Sequence, residues 1–576
     1  GVIIITTNRQ SDREQTSVQY NGYVGFASVA KHLDLLSANQ WRAYVRERNV
    51  ATALDYGAST DWQKELERTA ISHAHNILFS SSKQHSGYRA SVTYANNQGV
   101  IQRNNMNRLA GSLTAYQTAW QGRLRFDEGI NANFDRWHPI DTRIFERMTN
   151  LQPTFPVFNP DGSYAQLNGT NTENPVELNT NRTDDKKRHR FLGYLKAELT
   201  LLEGLKATTN MSYEQNAVLG GLYKPTYARM EGQGEKGWGQ RTYGDYTNRQ
   251  IEAYLTYDRF FGKDHHLNLM GGYSYLNNVS EGFGSTRSGF DTNAFGYNNL
   301  ASGTDYRQTD VYSYKTEATL VSFFGRVNYG FMNRYMLTAT LRRDGSSRFG
   351  DNHKWGTFPS VSVAWRVSDE PFMQATSGWL ENLKVRFGFG VTGNQNGIGE
   401  YKSLSILSAS GAAYYDPTSK TWKNAYTQAQ NANPDLKWES TKQWNLGIDF
   451  VLFSRLTGTL ELYHKKTSDL LWTYPVPQPP YLVGTMLANV GDLVNKGVEL
   501  TLGANILKNK DFSLDANMSL SYNHQKITKL SNDQYQAVGL QAGSLHNLRG
   551  MSNRYSQVIK EGYAAGTFWG PHCEGI

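Results

Sequence analysis

"RYMLTATLRRDGSSRFGDNHKWGTFPSVSVAWRV", residues 334–367, holds two stretches of alternating side chains around an irregular, charged piece. In the second stretch Val361, Val363, Trp365 and Val367 fall on one face, and Ser360, Ser362, Ala364 and Arg366 on the other. A period of two marks a β-strand with one apolar and one polar face. What the apolar face touches decides the fold. It is either a protein core, as in a soluble sandwich, or lipid.

The same alternation recurs along the chain. In "DFSLDANMSLSYN" (511–523), Phe512, Leu514, Ala516, Met518, Leu520 and Tyr522 share one face. Ser513, Asp515, Asn517, Ser519 and Ser521 share the other. Leu205–Tyr213, Tyr88–Tyr94, Trp444–Leu452 and Leu267–Tyr275 repeat the pattern. The alternation predicts roughly 17 strands of about 9 to 13 residues, against an ordinary mean of about 5 to 6. Ten residues tilted by about 40° rise about 25 Å, the height of an outer-membrane apolar band.

Composition agrees. The 576 residues are 39% hydrophobic and 13% aromatic, with a mean hydropathy of −0.60. No run of about 18 apolar residues occurs, so a helical span is excluded. The net charge of +8 is dispersed through mixed-sign loops, which argues against a nucleic-acid surface. The densest run, "DDKKRHR" (184–190), reads as a solvated loop base. The single cysteine, Cys573, allows no internal disulfide and has no metal-ligand spacing.

The connections discriminate lipid from core. Tight turns are expected at 202–204, 261–264, 330–333, 454–455 and 508–511. Long polar connections are expected at about 132–188, 217–247, 277–313, 343–357, 393–439 and 467–493. Short and long alternate, so each kind gathers at one end of the strands. Transmembrane β-barrels are built this way, with short periplasmic turns and long extracellular loops. The row from Val361 to Val367 is therefore expected to face lipid, and Ser360, Ser362 and Arg366 the lumen.

Several loop segments carry a family resemblance. "RRDGSSRFGDNHKWGTFPSVSVAWRVSDEPFM" (342–373), "LKVRFGFGVTGNQNGIGEY" (383–401), "NPDLKWESTKQWNLGIDF" (433–450), "NVGDLVNKGVEL" (489–500) and "TDWQKELERTAISHAHN" (60–76) resemble the SusC/RagA-like TonB-dependent outer-membrane transporters of Bacteroidetes. The resemblance spans the whole chain. It implies an all-β fold, a large antiparallel transmembrane β-barrel of 22 strands in the family, of which about 17 are present here. Residues 1–10, with "GVIIITT", look like the last strand of the plug domain, and residues 11–576 like the barrel with its long extracellular loops. On that reading the chain is a fragment. Most of the plug, the TonB-contacting segment and the C-terminal strands lie outside it.

The resemblance implies multi-pass residence in the cell outer membrane and contact with its lipid. It implies TonB-dependent import of an oligomeric nutrient, an oligosaccharide first, under a SusD-like surface lipoprotein lid. Energy would come from the TonB–ExbB–ExbD complex, acting through the segments outside this chain, because the outer membrane has no ATP or ion gradient of its own. A peptide importer of the same family and a siderophore or vitamin receptor are the alternatives. An enzyme is not expected, nor a cofactor, metal or nucleic-acid partner.

Other motifs carry less. "GFGVTG" (388–393) matches a dinucleotide fingerprint but is followed by Asn394-Gln395-Asn396-Gly397 instead of a helix. His73/His75 and His265/His266 show no third metal ligand, and "NPDGSY" (159–164) reads as a turn. The aromatic loops "AAYYDPTSKTWKNAY" (412–426) and "LLWTYPVPQPPYLVG" (470–484) are the candidate substrate-binding elements. Their Tyr414, Tyr415, Trp422, Trp472, Tyr474 and Tyr481 suit stacking on sugar rings, beside Asn, Gln and Asp for the hydroxyls. Packing among the loops, or against the lid, is the competing role.

Overall fold

The structure is a computed structural model describing residues 15–50, 53–167, 172–228, 236–531, 539–545 and 554–570. The expected plug strand at residues 1–10 lies outside the described residues. Two compact units are present, one of residues 1–197, 210–250 and 278–317, the other of 198–209, 251–277 and 318–576.

The first strands are β1 (Gln15–Ala27), β2 (Ala70–Ser82), β3 (Ser86–Gln98), β4 (Asn105–Ala119) and β5 (Leu124–His138). Helices α1 (Ala38–Glu47) and α2 (Trp62–Leu66) precede β2, and α3 (Arg143–Asn150) and α4 (Pro175–Thr180) follow β5. Then come β6 (Thr183–Leu202), β7 (Leu205–Lys224), β8 (Trp238–Phe261), β9 (His265–Phe290), β10 (Gly303–Asp305) and β11 (Val311–Phe331). The second half holds β12 (Tyr335–Ser346), β13 (Trp355–Arg366), β14 (Leu380–Asn394), β15 (Ile406–Asp416), β16 (Thr421–Gln430) and β17 (Glu439–Leu452). It continues with β18 (Leu456–Pro475), β19 (Thr485–Lys508), β20 (Ser513–Lys529), and the short β21 (Leu540–Ser544), β22 (Tyr555–Ile559) and β23 (Thr567–Phe568). Among the described residues, 18 of these strands belong to one sheet, and β15–β16 form a separate hairpin. The sheet's β10 has three residues, so the expectation of about 17 long strands holds.

In the unit that contains β12–β20, the strands pair in antiparallel succession. One row of directly opposed residues runs Tyr329, Leu337, Val363, Phe387, Leu446, Leu462, Val498 and Tyr522. Every member is apolar or aromatic. The row one residue along runs Asn328, Thr338, Ser362, Gly388, Asn445, Tyr463, Gly497 and Asn523. Except for Tyr463 it is small or polar. Val363 stands 46% exposed and Leu462 41%. An uncovered apolar row crossing eight strands is what a lipid-facing surface requires, since no soluble domain leaves so large a patch to water.

The apolar stretch slides along the strands. On β12 it covers Tyr335 to Leu341 and stops at Arg343; on β20 it covers Leu514 to Tyr522 and stops at His524. Tyr335 shares a row with Leu520, and Ala339 with His524. The edges thus shift by four to six residues over six strand spacings, a slant of roughly 30° at about 3.4 Å per residue and about 4.8 Å per strand. Strands that cross a bilayer obliquely need this offset.

In the other unit, β1–β5 form a meander with the same two-faced character. Val18, Phe79, Ala90, Leu113 and Ile130 align on one face, and Ser91 and Ser112 hydrogen-bond on the other at 2.7 Å.

The tight turns fall as expected, at 203–204, 262–264, 332–334, 453–455 and 509–512. Met332 and Asn333, then Phe453 and Ser454, all have φ between 51° and 56°, the left-handed geometry that matches strand twist in two-residue hairpins. Gly204 has φ +79°, and a Cβ there would lie 2.6 Å from the Asp258 carbonyl oxygen, so glycine is required.

Three expectations are corrected. Strands run well past the expected 9–13 residues, to 24 in β8 and 26 in β9, so the long connections contract, for example to 225–237 and 291–310. Beyond the lipid band both strand faces meet polar surroundings, so alternation stops although the hydrogen-bond ladder continues. "DDKKRHR" is consequently part of β6, with Arg188 paired to Asp135. Val367 leaves the lipid row, because the chain turns into a 3-10 helix at Val367–Asp369 and buries it.

Candidate functional site: the long-loop end

Three small apolar cores hold the long connections together among the described residues. In the first unit Trp62, Leu66, Ile101, Ile144, Met148, Leu151, Phe155 and Leu178 pack together, beside the buried ion pair of Arg147 with Glu173 at 2.5 Å. Asp141 sits at the edge of this region, held by Arg143 (2.7 Å) and Arg182 (2.6 Å). Burial alone would push its carboxyl up, but the Arg143 hydrogen bond and the two guanidinium charges outweigh it and lower it to about 2.

In the second unit Phe349, Ile398, Leu436 and Trp438 form a core from three separate connections. Phe349 and Trp438 rings lie 4.5 Å apart, and the Trp438 indole N–H donates to the Lys354 carbonyl at 3.1 Å. The Gly350 amide donates to the Leu436 carbonyl at 2.9 Å. A Cβ on Gly350 would meet the Pro434 carbonyl oxygen at 2.0 Å, so only glycine lets the backbones approach. Asn433 and Asn489 are also committed here: Asn433 donates to the Leu487 carbonyl, Asn489 to those of Lys437 and Asp469. The segments that carry the family resemblance therefore knit the loops together.

The hairpin β15–β16 stands apart from that core. Asp416 organises its turn: the Thr418 amide and Ser419 hydroxyl donate to it, and Lys423 pairs with it at 2.5 Å. The Lys423 contact first, then those hydrogen bonds, hold its carboxyl down at about 2. Tyr415 faces Trp422 across the hairpin with ring centroids 5.6 Å apart, edge to face. Tyr414, Tyr415, Trp422 and Tyr426 are all exposed, Trp422 at 71%. At the base, Gln430 donates to the carbonyls of Tyr401 and Leu404, and Asn431 to those of Val483 and Thr485. The aromatic arm is thus pinned at its root and bare at its tip.

The second aromatic group divides. Trp472, opposite Ala488 in β19, is 39% exposed. Tyr474 is 0% exposed, packed with Met486, Ala488 and Val490, and its hydroxyl donates to the Leu530 carbonyl at 3.1 Å. Burial removes Tyr474 from the substrate-facing set. Tyr481 is half-buried against this cluster and lines a cavity of about 280 Å³ with His353, Asn433, Asp435, Lys437 and Asn489. The structure brings Tyr414, Tyr415 and Trp422 together on one hairpin, and Tyr474 and Tyr481 together in one cluster.

Charged clusters on the polar strand face escaped the sequence reading. Asp135, fully buried, accepts from Arg108 and Arg188, each Nε at 2.8 Å. Arg386 bridges Asp449 and Glu461, each at 2.8 Å, with Lys384 on Asp449 at 3.0 Å. Their signal was present, as charged residues at the strand positions between apolar ones. The histidines take ordinary places: His73 and His75 rings are 5.3 Å apart, and His75 bonds the Tyr20 hydroxyl. "GFGVTG" lies in β14, where a Cβ on Gly393 would strike the Phe358 ring at 2.1 Å.

A sheet with an uncovered apolar face, a charged opposite face, tight turns at one end and knitted loops at the other defines an outer-membrane β-barrel. Residues 140–570 match the family described as TonB dependent receptor-like, beta-barrel, and the chain belongs to it. It is 31% identical over 590 residues to TonB-dependent receptor P3 of Formosa agariphila, covering 100% of this chain and 57% of that protein. It is 31% identical over 615 residues to TonB-dependent receptor SusC of Bacteroides thetaiotaomicron, covering 99% of this chain and 58% of that protein. The chain therefore spans somewhat over half the length of these relatives. Its fold is similar to that of the RagAB peptide importer in the closed-closed state, with a TM-score of 0.79 at 20% identity, over 96% of this chain and 64% of that one. The SusC/RagA-like resemblance thus holds, with outer-membrane residence. The named relatives are receptors.

Proposed function

We propose that the full-length protein imports an oligosaccharide across the outer membrane, energised through TonB and capped by a SusD-like surface lipoprotein. In this reading residues 1–10 end a plug domain, residues 11–576 belong to the barrel, and the long-loop end faces outward. The observation that carries it is the β15–β16 hairpin, with Tyr415, Trp422 and Tyr426 exposed beyond a rigid loop core. Flat, uncovered rings held on an anchored arm suit the C–H faces of sugars. The name of the relative SusC, a TonB-dependent receptor, supports TonB-driven import; the RagAB structure, a peptide importer, shares the fold.

Tyr414, Tyr415, Trp422 and Trp472 are the proposed ligand-facing residues, with Tyr481 at the cavity edge. Replacing Trp422 or Trp472 by alanine should weaken oligosaccharide capture by about 1–3 kcal/mol while the amount of barrel in the membrane stays constant. Calorimetric titration of the purified transporter–lipoprotein complex reads this. Unchanged affinity in both variants would assign the rings to loop or lid contacts. Capture of peptides with no glycan binding would move the substrate class to peptide.

A further inference from the structure

The lipid-facing side of β17–β20 changes character abruptly at its long-loop edge. Above the apolar row of Leu446, Leu462, Val498 and Tyr522, the next row on the same face reads Trp444, His464, Lys496 and His524. The row after that reads Lys442, Lys466, Val494 and Lys526. All four lysines are exposed. Lys466 is paired with Asp492 at 3.0 Å; Lys442, Lys496 and Lys526 have no ion pair among the described residues.

Two features separate this band from ordinary solvated lysines. Lys442 and Lys466 are directly opposed across β17 and β18; Asp492 answers Lys466, which leaves the Lys442 charge unbalanced beside it. Adjacent strands lie about 4.8 Å apart, so the four lysines, on four successive strands, span a band about 14 Å wide. The patch also begins one row above the residues that meet acyl chains. An anion drawn to Lys442, Lys496 and Lys526 would therefore sit at the boundary between hydrocarbon and water, where long lysine side chains reach upward.

We propose that Lys442, Lys496 and Lys526, with His464 and His524 between them, bind the phosphate groups of a phosphorylated lipid in the leaflet facing the long loops. The acyl chains of that lipid lie along Leu446, Leu462 and Val498, and its phosphates accept from the ammonium groups above. Charge-assisted bonds to phosphate and the field of a basic cluster at a membrane surface supply the attraction. The inference rests on the barrel spanning the membrane and is independent of the transported substrate.

The test uses the full-length protein in nanodiscs of phosphatidylcholine doped with a bis-phosphorylated glycolipid or its dephosphorylated form. Mass spectrometry counts the glycolipid retained per barrel after detergent washing. Wild type is expected to retain the phosphorylated form and to lose the dephosphorylated one. Lys442→Gln/Lys496→Gln/Lys526→Gln should cut retention about tenfold or more. Lys465→Gln, on the opposite face of β18, should leave it unchanged. Equal retention of the two glycolipids by wild type overturns the proposal and needs no variant to fold. Equal retention by wild type and the triple variant overturns it too. So does complete displacement by excess inorganic phosphate, which would mark a site for the free ion.

Discussion

Trp438 of the loop core and Trp422 of the hairpin both lie between β14 and β17, yet the structure treats them in opposite ways. Trp438 is wedged between Phe349 and Phe358 with its N–H satisfied by a backbone carbonyl. Trp422 is uncovered, touching Tyr415 edge to face. Residues that must fit each other from three directions tolerate little change, because each fills a hole the other loops define. Residues on an exposed arm answer only to what they meet outside. The family-like segments therefore report how the rim is built, while the arm is the proposed seat of ligand specificity.

The comparison can be broken by substitution. Trp438→Ala should have the largest effect, about 3–5 kcal/mol, seen as proteolytic opening of the loops at 347–354 and 395–405. Trp422→Ala should leave that protection within about 0.5 kcal/mol. Equal loss in both would mean the hairpin is part of the core after all.

A second contrast sets the two faces of one strand against each other. Val363→Arg places a charge in the apolar row and should cost about 2–4 kcal/mol if it lies near the bilayer midplane. Ser362→Arg, on the polar face one residue away, should cost much less. The yield of heat-modifiable folded barrel measures both, and equal yields would refute the assignment of faces.

A smaller effect separates the loop region of the first unit from the rest by pH. The Asp141 carboxyl is held at about 2 against an ordinary value of 3.8. A depressed acid stabilises the folded state above its unfolded pKa and loses that contribution as pH falls through the folded value. About 2 kcal/mol of local stability should therefore vanish between pH 4 and 2. Hydrogen exchange across the connection at 139–182 reads it, and Asp141→Asn should abolish the pH dependence.

Much of this was legible in the sequence because lipid imposes a strict rule. Every second residue from Val361 to Trp365, or from Leu514 to Tyr522, must be apolar, so alternation marks the membrane-crossing strands directly. The rule lapses above the bilayer, which hid the extensions of β7–β9 and put "DDKKRHR" into an expected loop. It also hid Tyr474, whose sequence setting matches that of Trp472 although one ring is buried and the other half-exposed. The loop core was invisible for a different reason: Phe349, Ile398 and Leu436 come from separate connections, and no periodicity links them. The exposed arm was the easier case, since a local run of aromatic residues in a polar loop announces itself.

Orientation is the claim on which the outward arm and import both depend. In a Cys573→Ser background, a single cysteine at Asn424 on β16 should react with a membrane-impermeant maleimide on intact cells. One at Met332, in the tight turn between β11 and β12, should stay unlabelled until the outer membrane is opened. Labelling at Met332 with protection at Asn424 would contradict the account.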